Sequence, residues 1–422
     1  MDKTITTVIV FTHSVIDNDS RIQNQVNQLA KKFTVYLCCR NSNSNRLNEV
    51  LDKNVIPIPY EGYPVFGRVH STILNRTMSK HNFIEKIVEK VLNKYLLINT
   101  NSCYLNYIGY AEVMKQQLLE ELEERNDLNK SIAIIANDIY ILPHAYSLYL
   151  KLNKQYEKVR LIGDMHELHF ASYNHEDDFK RELRKWILNN FIDKCDLITS
   201  VSEECVDLYK EKFNLSNTMS IMNVAKYAEI PIQIKNTEEI KLVHTGGASP
   251  ERKLENMIDL MELLPKNYKL YFYLITSHSS SSLQYLEFLK NRIIQKDLSG
   301  RVFILDPIPS ETVVLEMSKY DIGIYHIKPE CPNHEYAMPN KLFQFIQARL
   351  GVVVTPLKSM KRIVEDYNVG CVSKDFEVTS FAESVKMVAN NLEHYRINSN
   401  KAAHELNVDR EWEKLSKKIL DL

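Results

Sequence analysis

The chain has 422 residues, of which 44% are hydrophobic and 25% are charged. This composition is typical of a soluble globular protein, and the length fits two domains of ordinary size. Lysine and arginine total 53 against 54 acidic residues, so the formal net charge is -1. That balance excludes a global field that would attract nucleic acid, and we expect anions to be bound only at local sites.

The cellular compartment is predicted from the cysteines and the N-terminus. The seven cysteines include no Cys-x-x-Cys pair, which favours reduced thiols over a disulfide framework or a metal site. The first residues run from Met1 to Thr4 into a short apolar strand and lack the features of a signal peptide. No segment approaches the roughly 18 apolar residues of a membrane span. We therefore expect a cytoplasmic protein.

The first half of the chain alternates short apolar segments with helical patterns. Continuous apolar strands separated by helices indicate a parallel sheet covered on both faces. Residues 1–225 are therefore predicted to form a Rossmann-like, doubly wound α/β domain. The predicted strands are 6–11, 34–38, 132–136, 159–163 and 197–200.

The loop after the first strand contains Asp17-Asn18-Asp19 and Arg21. Asp19 is best interpreted as the residue that starts a helix near Ser20, with Arg21 left free to face a ligand. The Asp-x-Asp spacing also matches a metal motif, but that motif belongs to a different, single-domain fold. We predict no metal site.

A second cluster ends the strand at 159–163 and reads Gly163-Asp164-Met165-His166-Glu167. Open parallel sheets bind ligands beyond this edge. His166, flanked by Asp164 and Glu167, is a candidate active-site residue, and a structural histidine is the alternative.

The helical segment 179–188 mixes basic residues with Trp186. This pattern suits a peripheral contact with a membrane surface. An apolar face in the core with a solvated basic side is the favoured alternative.

The second half repeats the alternating pattern. Residues 226–398 are predicted to form another Rossmann-like domain, and apolar residues at helical spacing predict a helix over 399–422. Two such domains predict a ligand site in a cleft between them. The predicted strands are 241–245, 270–275, 302–305, 321–325 and 352–354.

Two segments of this half predict phosphate binding. Gly246 and Gly247 follow a strand and allow a ligand to approach the backbone, with Arg252 and Lys253 placed to supply positive charge. Pro339 occupies the predicted first position of a helix, whose free amides together with Lys341 favour an anion. Solvated cations and an ordinary amphipathic helix are the alternatives.

The Pro339-Asn340-Lys341-Leu342-Phe343-Gln344 run resembles a motif of the retaining, nucleotide-sugar-dependent glycosyltransferases of GT-B fold, close to glycosyltransferase family 4. The resemblance is strongest from Lys241 to Thr355. It implies an α/β fold of two Rossmann-like, doubly wound domains that face each other across a cleft. It also implies that the terminal helix crosses back to the first domain.

The resemblance also implies roles for individual residues. The catalytic set would be His166, Arg252, Lys253 and Glu335. The nucleotide-sugar would contact Gly246, Gly247, Ile308, Asn340, Lys341, Leu342 and Gln344. The acceptor would contact Asp19, Arg21, Asp164 and Glu167. Relatives carry a glutamate at the position of Gln344, and their second acidic residue would fall on Tyr336, so Glu335 is one position out of register.

The sequence thus predicts a metal-independent enzyme without a cofactor that moves a sugar from a nucleoside-diphosphate donor to a saccharide or lipid-linked acceptor, with retention, in polysaccharide biosynthesis. Such an acceptor would place it at the inner face of the membrane. A non-catalytic GT-B partner subunit and a GT-B sugar-nucleotide 2-epimerase are the alternatives.

Overall fold

The chain is described here from a computed structural model. The structure describes residues 4–40, 47, 49–60, 111–125, 131–171, 178–233, 238–276 and 280–422. The chain divides into two compact units. The first unit comprises Met1–Ile221 and Trp412–Leu422, and the second comprises Met222–Glu411.

The first unit contains a sheet of seven strands in which every described pair is parallel. The order β3-β2-β1-β4-β5-β6-β7 places the reversal of strand order between β1 and β4. Ligands of open α/β sheets bind at such a reversal, beyond the carboxyl ends of the strands. The strands are β1 (Ile5–Val15), β2 (Thr34–Arg40), β3 (Val55–Tyr60), β4 (Ser131–Asn137), β5 (Val159–Met165), β6 (Leu197–Ser200) and β7 (Thr218–Ser220).

Helices of the first unit begin where a polar side chain satisfies a free amide. The Asp19 carboxylate accepts from the Ile22 amide, and the Ser202 hydroxyl accepts from the Cys205 amide. The predicted role of Asp19 as a helix-start residue is confirmed. The described helices are α1 (Ser20–Leu29), α2 (Ala111–Glu124), α3 (Leu142–Leu152), α4 (Asp178–Phe191) and α5 (Glu203–Phe213).

The second unit contains a six-stranded sheet in the order β10-β9-β8-β11-β12-β13, again with only parallel pairs described. Its reversal lies between β8 and β11. The strands are β8 (Ile240–Gly247), β9 (Tyr268–Ile275), β10 (Val302–Leu305), β11 (Ile322–Tyr325), β12 (Gly351–Val354) and β13 (Gly370–Val372).

The helices of the second unit pack on a buried apolar core that includes residues of β8, β9, β11 and β12. Close packing requires a glycine in β11, because a Cβ at Gly323 would overlap the ring of Phe345. The helices are α6 (Glu255–Leu263), α7 (Ser280–Gln295), α8 (Val313–Met317), α9 (Pro332–Glu335), α10 (Asn340–Gln347), α11 (Lys358–Asp366), α12 (Val378–Asn390) and α13 (Leu392–Glu405).

The C-terminal segment differs from the single helix predicted over 399–422. Helix α13 ends at Glu405, and α14 (Val408–Asp421) follows after a break. Asn407 explains the break, because its side-chain amide donates to the His404 carbonyl while its carbonyl accepts from the Arg410 amide. One side chain thus satisfies backbone groups of two helix ends. From Trp412 onward the segment groups with the first unit.

Candidate functional site in the second unit

A cavity of about 460 Å³ lies at the strand-order reversal of the second sheet. Residues that follow β8 and β11 meet there with the start of α10. The lining residues are Thr245, Gly246, Gly247, Arg252, Tyr273, Ile275, Ile308, Ser310, Val313, Tyr325, Pro339, Asn340, Lys341 and Gln344. The cavity therefore combines polar groups at one set of loops with the apolar side chains of Ile275, Ile308 and Val313.

The start of α10 differs by one residue from the prediction. Pro339, predicted at the first helical position, has φ -73 and ψ 139 and is the extended residue just before the helix. The helix begins at Asn340, and the first amides of any helix lack intrahelical acceptors. Asn340 lines the cavity, so this helix end supplies partial positive charge beside it.

Lys341 is the cation nearest the centre of the site. Its side chain is 9% exposed, and Nζ lies 4.6 Å over the ring centroid of Tyr325. Burial, and then the nearby Arg252 guanidinium, lower the pKa of Lys341 to about 7. An anion in the cavity would reverse both effects, because it would supply the missing countercharge.

Gly246 allows this approach. Its φ is +143, a conformation that L side chains rarely adopt, and a Cβ there would stand 2.8 Å from Lys341 Nζ and 3.5 Å from Arg252 Nη1. The missing side chain is thus the space in which the two cations face a ligand. The sequence argument for a close backbone approach at this position agrees with this geometry.

Arg252 and Lys253 do not share one environment. Arg252 lines the cavity, whereas Lys253 is exposed and is absent from the lining. Lys253 adopts a left-handed conformation, φ 49 and ψ 46, at the end of the 3-10 turn Pro250–Arg252, and this redirects the chain between the two side chains. The prediction that both cations face one diphosphate is therefore wrong for Lys253.

The positive charge of the cavity is not neutralised by the protein. No carboxylate among the described residues lies within salt-bridge distance of Arg252 or Lys341. His244, which is 1% exposed, does not add a third charge. Burial, Lys341 and Arg252 together lower its pKa to about 3, and its Nδ1 lies 3.0 Å from the Ile324 carbonyl. Two cations without a described counterion mark an anion site.

The remaining predicted donor contacts divide between cavity and core. Ile308 and Gln344 line the cavity, and Gln344 is half-buried. Leu342 is 1% exposed and packs in the core, so its predicted contact with a nucleotide-sugar is wrong for the side chain. On an α-helix, positions 341 and 344 share a face while 342 points elsewhere.

Glu335 is not part of the cavity lining. Its carboxylate lies 3.2 Å from Lys358 Nζ, which also donates to the Tyr336 hydroxyl at 2.7 Å. The predicted catalytic contact of Glu335 with a donor sugar is not found in this geometry, because the carboxylate is engaged at the surface by Lys358.

Several lining residues were not predicted from the sequence, notably Tyr273, Ser310, Val313 and Tyr325. Tyr273 and Tyr325 stand on neighbouring parallel strands, where apolar segments conceal which residues reach a ligand. The Tyr273 hydroxyl lies 2.6 Å from the Tyr320 hydroxyl. A usable signal was their position near the carboxyl ends of β9 and β11, next to the strand-order reversal.

In the first unit, Arg21 and Asp164 are not available to an acceptor. Arg21 is 4% exposed and Asp164 1%. Arg21 Nη2 donates to Asp164 Oδ1 at 2.8 Å, and Arg21 Nε donates to Oδ2 at 3.1 Å. Burial opposes ionisation of Asp164, but Arg21 and His166 outweigh it and hold the carboxyl pKa well below its usual range. The prediction that Arg21 is free is wrong, because a buried charge needs a partner.

His166 lies beside this pair, with Nε2 3.3 Å from Asp164 Oδ2. Its ring is partly exposed, and Glu167 is exposed next to it. Asp19 serves the start of α1. The structure therefore brings His166 and Asp164 together at the carboxyl edge of β5, and it does not test whether these residues meet an acceptor.

The cations of α4 are largely engaged within the first unit. Glu182 lies 2.8 Å from Lys185 Nζ and 3.7 Å from Arg181 Nε, while the buried Arg184 donates to the Ala171 carbonyl. Within the described ranges, no helix combines the length and the apolar character needed to cross a membrane. In the same part of the chain, no three His, Cys, Asp or Glu side chains are grouped as metal ligands.

Known proteins were compared with the chain. No family model matches it, and no curated protein matches its sequence. Solved structures do match it, and three of them cover almost the whole chain. The Anabaena protein HepE, solved in complex with UDP, is 11% identical with a TM-score of 0.68, covering 99% of this chain and 100% of HepE.

Two further structures give the same result. Sucrose-phosphate synthase from Thermosynechococcus elongatus is 11% identical with a TM-score of 0.65, covering 98% of each chain. A glycosyltransferase from Rickettsia africae is 11% identical with a TM-score of 0.66, covering 99% of each chain. The chain has the GT-B fold. The predicted fold class is confirmed, and at these identities the likeness extends to the GT-B fold alone.

Proposed function

We propose that the chain is a glycosyltransferase that uses a nucleoside-diphosphate sugar as donor. The observation that carries the proposal is the pair Arg252 and Lys341, two cations without a described carboxylate partner that meet across Gly246 in one cavity. A diphosphate would neutralise both. As the donor bond breaks, negative charge grows on the leaving diphosphate, and preorganised cations stabilise that charge.

The shape of the cavity favours a nucleotide over a free diphosphate. Ile275, Ile308 and Val313 offer an apolar wall that suits a base, and Gln344 can hydrogen-bond a ribose diol. Uridine diphosphate is the first nucleotide to test, because HepE was solved with UDP and with UDP-glucose. The acceptor is proposed to be a saccharide or a lipid-linked saccharide of polysaccharide synthesis.

Retention at the anomeric carbon is part of the proposal and rests on the family resemblance. The anomeric configuration of the product, read by NMR during turnover, decides it. A non-catalytic partner subunit would bind nucleotide without turnover, and a 2-epimerase would convert the donor without an acceptor. Release of nucleoside diphosphate on mixing donor and acceptor, with sugar found on the acceptor, distinguishes these three functions.

The charge pair predicts different outcomes for two adjacent cations. Arg252→Ala removes a charge-assisted contact worth roughly 1.5–3 kcal/mol, so UDP affinity should fall about 10- to 150-fold by calorimetry. Lys253→Asn is the matched control, because asparagine tolerates the left-handed backbone at this position and removes the same unit of charge. Equal losses in both variants would contradict the placement of the diphosphate beside Arg252.

A second prediction concerns metal ions. Because Arg252, Lys341 and the start of α10 supply positive charge where the diphosphate would leave, transfer should persist in excess EDTA at close to its rate without chelator. Initial rates with and without EDTA, each followed by added Mg²⁺ or Mn²⁺, test this. Abolition by EDTA with rescue by either ion would favour the Asp17-Asn18-Asp19 motif as a metal site.

Gln344 is predicted to bind the ribose. Its side chain lines the cavity and no hydrogen-bond partner for it is found among the described residues. Gln344→Leu should weaken UDP binding by about tenfold, since it leaves the ribose hydroxyls unpaired, and Gln344→Glu should keep or tighten it. Titrations with UDP and 2′-deoxy-UDP test the contact. Unchanged affinity in the leucine variant, with no preference of wild type for the ribonucleotide, would assign Gln344 a structural role only.

A further inference from the structure

A buried polar network surrounds the Asp164 carboxylate in the first unit. Oδ1 accepts from the Thr199 hydroxyl at 2.7 Å and from Arg21 Nη2 at 2.8 Å. Oδ2 accepts from Arg21 Nε at 3.1 Å and faces His166 Nε2 at 3.3 Å. Both oxygens are therefore engaged, and the carboxyl pKa is held well below its usual range once Arg21 and His166 outweigh its burial. At neutral pH this group only accepts hydrogen bonds.

Arg21 is itself fixed from three directions. Besides the two bonds to Asp164, its Nη1 donates to the Ile221 carbonyl at 3.0 Å, and the guanidinium lies 5.2 Å over the Trp412 ring. All four residues belong to the first unit. A guanidinium held in this way presents its donors in one geometry, so the carboxylate of Asp164 is held in one orientation as well.

The other neighbour of His166 is also an acceptor. Asn137 Nδ2 donates to Gln25 Oε1 at 2.7 Å, which leaves Asn137 Oδ1 turned toward His166 Nε2 at 3.4 Å. His166 Nε2 thus faces two oxygens and no donor. The proton of a neutral imidazole belongs on that nitrogen, and Nδ1 is left with its lone pair.

The backbone around His166 is equally constrained. The Ser200 hydroxyl donates to the Met165 carbonyl at 2.8 Å, and the Tyr209 hydroxyl donates to the Glu167 carbonyl at 2.8 Å. The His169 amide donates back to the Tyr209 hydroxyl at 3.0 Å. The segment that carries His166 is therefore held on both sides, at the sheet edge where ligands of open α/β sheets bind.

We propose that Asp164, anchored by Arg21, is a positioning residue that fixes the orientation and the Nε2-protonated tautomer of His166, so that Nδ1 is offered to a substrate hydroxyl as a hydrogen-bond acceptor. The part of this proposal that concerns substrate rests on the proposed glycosyl transfer. Asp164 itself touches no substrate and acts through the imidazole. The fixed tautomer restricts the ligand group at Nδ1 to a donor such as a sugar hydroxyl.

The first experiment measures the tautomer directly. The full chain labelled with ¹⁵N-histidine is observed by long-range ¹H–¹⁵N NMR at neutral pH, and His166→Gln assigns the ring signals. We expect the Nε2-protonated form in wild type and a mixture of forms in Asp164→Asn. Thr199→Val is the matched control, because it removes a bond to Oδ1, and it should keep the wild-type tautomer. An Nδ1-protonated ring in wild type, or no change in Asp164→Asn, would overturn the proposal.

The second experiment is a double-mutant cycle on turnover of the preferred nucleotide-sugar. Asp164→Asn should lower kcat about 10- to 100-fold through misplacement of the imidazole, with the KM for nucleotide-sugar little changed. In a His166→Gln background the same change should have no further effect, since Asp164 acts only through His166. An equal loss in both backgrounds would show a general structural role and overturn the proposal.

The two experiments separate this proposal from the proposed function. If the tautomer behaves as expected but no nucleotide-sugar is turned over by wild type, the proposed glycosyl transfer fails while the positioning of His166 stands. If turnover is found and the tautomer is the opposite one, transfer stands and the positioning role fails.

Discussion

Replacement of Lys341 by methionine is expected to make the second unit more stable and to lower its affinity for nucleoside diphosphate. Lys341 is a buried cation with no carboxylate partner among the described residues. A pKa of about 7, against an ordinary value of 10.5, means that the folded state disfavours the charged amine. Methionine has a similar length and fits an apolar environment without a charge.

The sign and size of the stability effect follow from proton linkage. Between about pH 10.5 and pH 7 the unfolded chain binds the Lys341 proton more tightly, so wild-type stability falls as pH falls and the penalty is complete below about pH 7. A shift of this size corresponds to on the order of 4 kcal/mol. The contact of Nζ with the Tyr325 ring offsets it only in part, since desolvated cation–π contacts contribute about 2 kcal/mol.

Differential scanning calorimetry at pH 6 and pH 10 tests this prediction. Lys341→Met should unfold at a higher temperature than wild type at pH 6, and the difference should shrink at pH 10. Lys253→Asn, which removes an exposed cation, should show no such pH-dependent gain. UDP affinity of Lys341→Met should fall at least tenfold. A variant that is less stable at pH 6 would show that Lys341 has a counterion in the folded protein.

Affinity for UDP is expected to fall as the pH rises from 7 to 9. In the free protein Lys341 has a pKa of about 7, and a bound diphosphate raises that pKa because it favours the charged amine. Above about pH 7, binding must therefore take up a proton. The affinity should drop by up to about tenfold per pH unit, until the pH reaches the pKa of the complex.

Other groups near Lys341 do not titrate in this interval. His244 is neutral above about pH 3. Burial raises the pKa of Tyr325, although Arg252 opposes this effect, and Arg252 is an arginine that stays charged. The terminal phosphate of UDP titrates near about 6. The interval from pH 7 to 9 therefore reports on Lys341.

Calorimetric titration of UDP in buffers of different ionisation enthalpy measures both the affinity and the proton uptake. Wild type should take up close to one proton per UDP at pH 8, whereas Lys341→Met should take up none and its affinity should not depend on pH over this interval. Proton uptake that persists in Lys341→Met would assign the linked group elsewhere.

The alternation of apolar strands and helices was sufficient to predict the doubly wound units. Each predicted strand was found, most of them within a few residues of their observed bounds. Three described strands were not predicted, β3, β7 and β13, and all three lie at sheet edges. Edge strands carry weaker apolar patterns, and β3 contains Pro57 and Pro59, which are tolerated only where a strand can forgo hydrogen bonds.

Local sequence also located the phosphate-binding elements, because a glycine after a strand and a basic residue at a helix start are short-range features. Gly246, Arg252, Asn340 and Lys341 all line the cavity. Sequence could not determine which neighbouring side chain faces a ligand. Lys253 and Leu342 each lie one residue from a lining residue, and their direction depends on backbone dihedrals and on the face that a helix buries.

Only the tertiary structure determined the partners of the buried charges. Arg21 and Asp164 are 143 positions apart in the chain, and nothing in either local pattern indicates the other. The sequence by itself determined secondary structure and the chemistry available at each strand end, because those depend on periodicity and residue type. The fold determined pairing and burial, and these decided that Arg21 holds a carboxylate while Lys341 remains a buried cation without a described counterion.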